Sequence, residues 1–146
     1  MEAQLNADPV NKKIKLDFKD SKYATGRRKK SIAKVWLKKG SGNIHVNGKK
    51  MAEYFRNPNL QIAVFRPLTI AKRENEFDMR CSVKGGGLTG QAGAIIHGLA
   101  RAIVLFEPEL KLTLKKEKLT TRDSRAVERK KYGHKKARKS FQFSKR

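Results

Sequence analysis

Polar and apolar positions alternate in some stretches of this chain and recur at helical spacing in others. Between Tyr23 and Lys38, Ala33, Val35 and Leu37 share one face at period two while Lys34 and Lys38 fall on the other, which predicts a single first strand. Lys39-Gly40-Ser41-Gly42-Asn43 is turn chemistry and alternation resumes over Ile44–Asn47, so a hairpin is expected, ended by Asn47-Gly48. Met51, Tyr54 and Phe55 suit one face of a short helix stopped at Asn57-Pro58. Leu60–Phe65 reads as a further helical stretch that Pro67 stops, and Leu68–Ala71 as a short strand. The clearest strand is Phe77–Lys84, where Phe77, Met79, Cys81 and Val83 alternate with Asp78, Arg80, Ser82 and Lys84, one face core and the other wet. Cys81 is therefore expected to be a buried small hydrophobe.

Gly85-Gly86-Gly87-Leu88-Thr89-Gly90 follows, then a helix over Gln91–Phe106 with Ile95, Leu99, Ile103 and Phe106 in one stripe. Gly93 and Gly98 each weaken such a helix by about 1 kcal/mol against Ala, which predicts close backbone packing there. Pro108 opens a short helix through Leu114, and Glu107 and Glu109 suit its positive end. After Lys115 the apolar pattern stops. Asp123 suits an N-cap, Ser124–Lys131 a short helix and Gly133 its end. The expected organisation is α+β: a polar extension over 1–21, a globular domain over 22–114 and a tail over 115–146.

Charge changes this picture. The 146 residues carry 36 Lys or Arg against 13 acids, a net charge of +23. From Arg122 onward there are eleven basic residues and two acids, and the only large apolar ones are Val127, Tyr132, Phe141 and Phe143. That is too little to offset the entropy of ordering, so the tail is expected to order on a polyanion. Rings among cations are the composition of an RNA-threading segment, with charge for affinity and rings for stacking. A membrane surface would call for a broad apolar helical face, which 122–146 lacks. Arg27, Arg28, Lys29 and Lys30 form a second basic run, expected to contact phosphate. The single cysteine excludes an internal disulfide and fits a reducing compartment. No apolar run reads as long enough to span a bilayer. The first residues lack a secretory core and hold Glu2, Asp8, Asp17 and Asp20, unlike a transit peptide.

GGGLTG matches G-x-G-x-x-G between a strand and a helix, but Glu107, at the right distance for a ribose contact, follows a helix instead of a strand. Too little chain remains for a doubly wound sheet. The glycines are better explained as a tight strand-to-helix turn whose backbone N–H groups can face an RNA phosphate. His45, His97 and His134 lie far apart, so no metal site is expected, and no carboxylate pair flanks a nucleophile. His97 stands one helical turn before Arg101, and both are candidates to face phosphates. No cofactor and no small-molecule substrate are expected. A nucleotide-dependent enzyme and a generic basic chaperone remain the competing classes.

TGRRK at 25–29, VKGGGLTGQAGAIIHGLARA at 83–102, and TRDSRAVERKKYG and KARKSFQFSKR within 121–146 resemble the small ribosomal subunit protein nine family, of bacterial and organellar type. The likeness runs from about residue 22 to the end. It implies a ribosomal-protein-five domain-two-like fold, a mixed sheet with helices on one face and a left-handed βαβ crossover. It implies binding of small-subunit ribosomal RNA in the head of the subunit, beside neighbouring ribosomal proteins, in a bacterial cytoplasm or a mitochondrial matrix. Charge and resemblance together mark Arg27, Arg28, Lys29, Lys30, Lys84, Gly85, Gly86, Gly87, His97, Arg101, Arg122, Arg125, Arg129, Lys130, Lys131, Lys135, Lys136, Arg138 and Lys139 for ribosomal RNA. The resemblance sets Lys145 and Arg146 against the tRNA in the peptidyl site. Ile96 departs from the family, in which that position is often basic, and 1–21 has no counterpart in it.

Overall fold

The computed structural model describes residues 19–145, so most of the expected extension 1–21, and Arg146, lie outside the described residues. Strands β1 (Lys22–Arg28), β2 (Ser31–Lys39), β3 (Ile44–Val46), β4 (Lys49–Lys50) and β5 (Phe77–Lys84) form one mixed sheet in the order β1-β2-β5-β3-β4. The pairs β1–β2, β2–β5 and β3–β4 are antiparallel, and β3–β5 is parallel. Helices α1 (Met51–Tyr54) and α2 (Pro58–Ala71) precede β5. Helix α3 (Leu88–Phe106) follows it, then a 3-10 turn (Pro108–Leu110) and α4 (Lys111–Lys116).

Period two decides which face of the sheet is buried. Ala24, Ala33, Val35, Leu37, Val46, Met79, Cys81 and Val83 pack against Val64 and Leu68 of α2 and Ile95, Leu99 and Ile103 of α3. Burial pushes the Cys81 thiol up to about 12, so it stays protonated and inert, as alternation predicts. Helix α3 has nineteen residues and is long and apolar enough to cross a membrane, which corrects the expectation that no run is. Nine of its residues are buried, so it serves here as the core helix.

Several expected elements differ. The single strand over Tyr23–Lys38 is a hairpin, turned at Lys29-Lys30 with Lys29 at φ 50°, which a run of four cations without Gly or Asn does not signal. The hairpin expected between β2 and β3 does not form. Ser41 and Asn43 N–H donate to Asp78 Oδ1 at 3.0 and 2.8 Å, which carries the chain past the end of β5, so β3 lands on the far side of β5. Asn47-Gly48 turns β3 into β4, and Asn47 extends the ladder itself, its Oδ1 accepting from Val83 N–H at 2.8 Å and its Nδ2 donating to Val83 O at 3.1 Å.

Pro67 does not stop its helix. Val64, Pro67, Leu68 and Ala71 are all buried at helical spacing, and that burial outweighs one missing backbone bond, so Leu68–Ala71 is the last turn of α2, with no strand there. The helix expected over Ser124–Lys131 is absent. Asp123 does accept from Arg125 N–H, at 3.1 Å, but with no apolar face to pack, one local turn does not propagate.

Candidate nucleic-acid interface

The basic run Arg27–Lys30 becomes the tip of the β1–β2 hairpin, and the glycine turn is folded against it. Gly85 and Gly86 have φ of 75° and 64°, open to glycine at little cost. A Cβ on Gly85 would meet the Lys30 carbonyl, and one on Gly86 or Gly90 the Ser31 hydroxyl. Ser31, fully buried, donates to Gly85 O at 3.0 Å and locks the turn to the hairpin. The glycines thus serve packing in a mixed sheet with one parallel pair, which lacks the doubly wound frame a dinucleotide site needs. Lys29, Lys30, Lys84, Gly85, Gly86 and Gly87 are exposed together, beside the first turn of α3, whose N–H groups lack helical partners.

Helix α3 crosses β1 at near backbone contact. A Cβ on Gly26 would run into Ala94 O and Gly98 N, and a Cβ on Gly93 into the Arg28 side chain. Close packing at Gly93 and Gly98 is thus what their place in the helix predicts. Room at Gly93 lets Arg28 reach Asp123 at 3.6 Å. Asp123 also receives Arg125 Nη2 at 2.9 Å, and this hydrogen-bonded pair holds its carboxyl well below the usual carboxylate range, with Arg28 adding to the effect. The root of the tail is clipped to the hairpin by these three residues.

His97 and Arg101, also on α3, bond to the backbone of β1. Arg27 N–H donates to His97 Nδ1 at 3.2 Å, and Arg101 Nη1 donates to Thr25 O at 2.6 Å. Two side chains one helical turn apart thereby take up two of the outward backbone groups of the edge strand. Burial, then the charge of Arg101, lowers the pKa of His97, which keeps the imidazole neutral and able to accept at Nδ1. Arg101 remains exposed.

Between these elements lies a cleft of about 440 Å³, lined among others by Arg27, Arg28, Arg66, Ile96, Lys118 and Arg125. Arg66 and Lys118 carry no mark in the sequence, since Arg66 sits inside an apolar helix and Lys118 just after a short one; Arg66 is held to Glu117 at 2.8 Å. Ile96 lines this cleft, beside His97. In the tail, Arg122, Arg125, Arg129, Lys130, Lys131, Lys135, Lys136, Arg138, Lys139 and Lys145 are all exposed. Glu128 takes Arg138 at 3.0 Å and Lys131 at 3.2 Å, so both tail acids are occupied. Tyr132 is 94 % and Phe143 85 % exposed. Among the described residues no cluster of three His, Cys, Asp or Glu is placed to hold a metal ion.

A basic body, a glycine turn fitted to a cationic hairpin and a long exposed tail with bare rings define the class: an RNA-binding protein. The family model for ribosomal protein S9/S16 matches residues 26–146. The chain belongs to that family and is a ribosomal protein, an RNA-binding structural constituent of the small subunit that works in translation. Its family is in general non-enzymatic, and its partners are ribosomal RNA and other ribosomal proteins.

Proposed function

We propose that the chain anchors in the head of the small subunit by laying the hairpin tip, the glycine turn and the cleft beneath Arg28 on ribosomal RNA, while its tail runs on to the peptidyl-tRNA site. The body then corresponds to 22–114 and the tail to 115–146, in a ribosomal-protein-five domain-two-like fold with a left-handed crossover. The observation that carries this reading is the convergence of Arg27–Lys30, Gly85–Gly87 and the root of the tail on one side of the molecule, where Asp123 and Glu117 are both already ion-paired. Every cation left over is available to phosphate. Tail residues from Arg122 to Lys139 supply salt-sensitive affinity, and Tyr132, Phe141 and Phe143 supply stacking. Lys145 and Arg146 meet the tRNA backbone, which carries no sequence information, so the contact is the same for every tRNA.

The test is a salt titration of binding to small-subunit ribosomal RNA. Neutralising Lys29 and Lys30, which make no ion pair among the described residues, is expected to lower the slope of log affinity against log salt by roughly 0.7 to 0.9 for each phosphate that no longer meets a cation. A fall in affinity with the slope unchanged would assign those lysines to folding and remove the hairpin tip from the interface. Binding with no preference for ribosomal RNA over other polyanions would favour a generic basic chaperone.

A further inference from the structure

Helices α2 and α3 cover one face of the sheet. The other face bears a row of residues in register across all five strands, Tyr23, Trp36, Arg80, His45 and Lys50, of which His45 is buried. The rings of Tyr23 and Trp36 are 5.3 Å apart and tilted by 42°, and the Arg80 guanidinium lies over Trp36 at 5.9 Å. Tyr23 is 45 % exposed and Ile32, further along the same face, 44 %. Arg27, Lys34, Lys38 and Lys84 surround the row. The strand acid on this face, Asp78, is occupied by the N–H groups of Ser41 and Asn43.

From this arrangement we infer that this face of the sheet, which α2 and α3 leave uncovered, is a second RNA surface, which takes an unpaired segment of RNA by stacking bases on Tyr23 and Trp36 and holding its phosphates with Arg80 and the flanking lysines. The inference rests on the RNA-binding reading above and adds to it a place and a form of RNA. Charge complementarity selects the occupant. A protein partner would meet a surface crowded with lysine, which interface centres exclude, whereas a polyanion is drawn to it. Exposed rings select unpaired RNA, because bases inside a duplex offer no free face to stack on.

Trp36 is the only tryptophan in the chain, so indole fluorescence reports on this face alone. The full-length protein is titrated with a single-stranded RNA and with a duplex of equal charge, and binding is followed both by gel shift and by emission. Single-stranded RNA is expected to quench Trp36 and the duplex to leave it unchanged. The double substitution Tyr23→Ser with Arg80→Ser is expected to weaken single-strand binding by about fivefold to a hundredfold, the worth of one stacked base, and duplex binding by less than twofold. If single-stranded RNA shifts the protein in a gel while Trp36 emission stays constant, the sheet face is not an RNA site, although the protein remains an RNA binder. Emission that changes only when other subunit proteins are added would give the face to a protein and overturn the proposal. Failure of the wild-type chain to bind any RNA would instead refute the RNA-binding reading itself. The quenching measurement uses the unaltered protein, so it decides the matter even where the double variant folds poorly.

Discussion

Gly26 and His97 both belong to the junction between β1 and α3. At Gly26 the backbone of β1 lies on the backbone of α3, and neither Ala94 O nor Gly98 N can move without moving the helix. Gly26→Ala is therefore expected to destabilise the body by about 1–3 kcal/mol, the scale of an overpacked core, measured as a lower denaturant midpoint with the slope unchanged. At His97 the consequence is a dependence on pH. Its folded pKa lies below the unfolded value near 6.5, so the unfolded chain binds the extra proton first. The stability it contributes is complete above that pH and is lost as pH falls through the folded value. His97→Gln keeps an acceptor for Arg27 N–H but does not titrate. The stability difference between wild type and this variant is expected to be constant from about pH 7 to 8 and to shift against the wild type below about 6.5, read from paired melting curves. A difference that does not change with pH would mean that the imidazole is not what titrates.

At the scale of elements, hairpin, helix and tail root are joined through one carboxylate. Arg28 and Arg125 converge on Asp123, and Asp123→Asn removes the charge but leaves an oxygen to accept from Arg125 N–H. Both arginines stay partly solvated, so the melting point of the body is expected to stay nearly unchanged. Trypsin cleavage after Arg122 and Arg125 is expected to accelerate, and an unchanged rate would mean that the pair does not hold the tail root. Much of this arrangement was legible from periodicity. Strand β5 has the predicted bounds, because alternation over eight residues leaves little freedom, and the stripe Ile95, Leu99, Ile103 placed α3 to within one turn at its start. Hidden were the features that depend on distant partners. The β1–β2 turn uses two lysines, the parallel pairing of β3 depends on Asp78 more than thirty residues away, and the cleft borrows Arg66 from a helix whose sequence reads as core. The cationic run, the glycine turn and the tail announced themselves as chemistry, but only the fold brings them to one side.

The whole molecule keeps a net charge of +23 after its 13 acids are set against its 36 Lys and Arg. Gly133 to Arg146 is fourteen residues, which at about 3.3 Å each extends up to roughly 45 Å, far enough for the chain end to act at a site remote from the body. Deleting residues 143–146 is expected to leave incorporation into the subunit intact and to weaken tRNA binding there by about 1–2 kcal/mol, the worth of one or two charge-assisted hydrogen bonds. Wild-type tRNA affinity in subunits that contain the shortened protein, at low and at physiological salt, would remove the tail end from the tRNA site. One feature of the sheet acts earlier, before any RNA is met. His97 and Arg101 take two of the outward backbone groups at its β1 edge, and at its other edge β4 is only two residues long. A bare strand at either border of the sheet would be a template on which copies of the chain could pair into fibres. With two outward backbone groups of β1 taken at one border, a strand too short to template a neighbour at the other, and like charges repelling at every approach, the free chain is expected to resist edge-to-edge association.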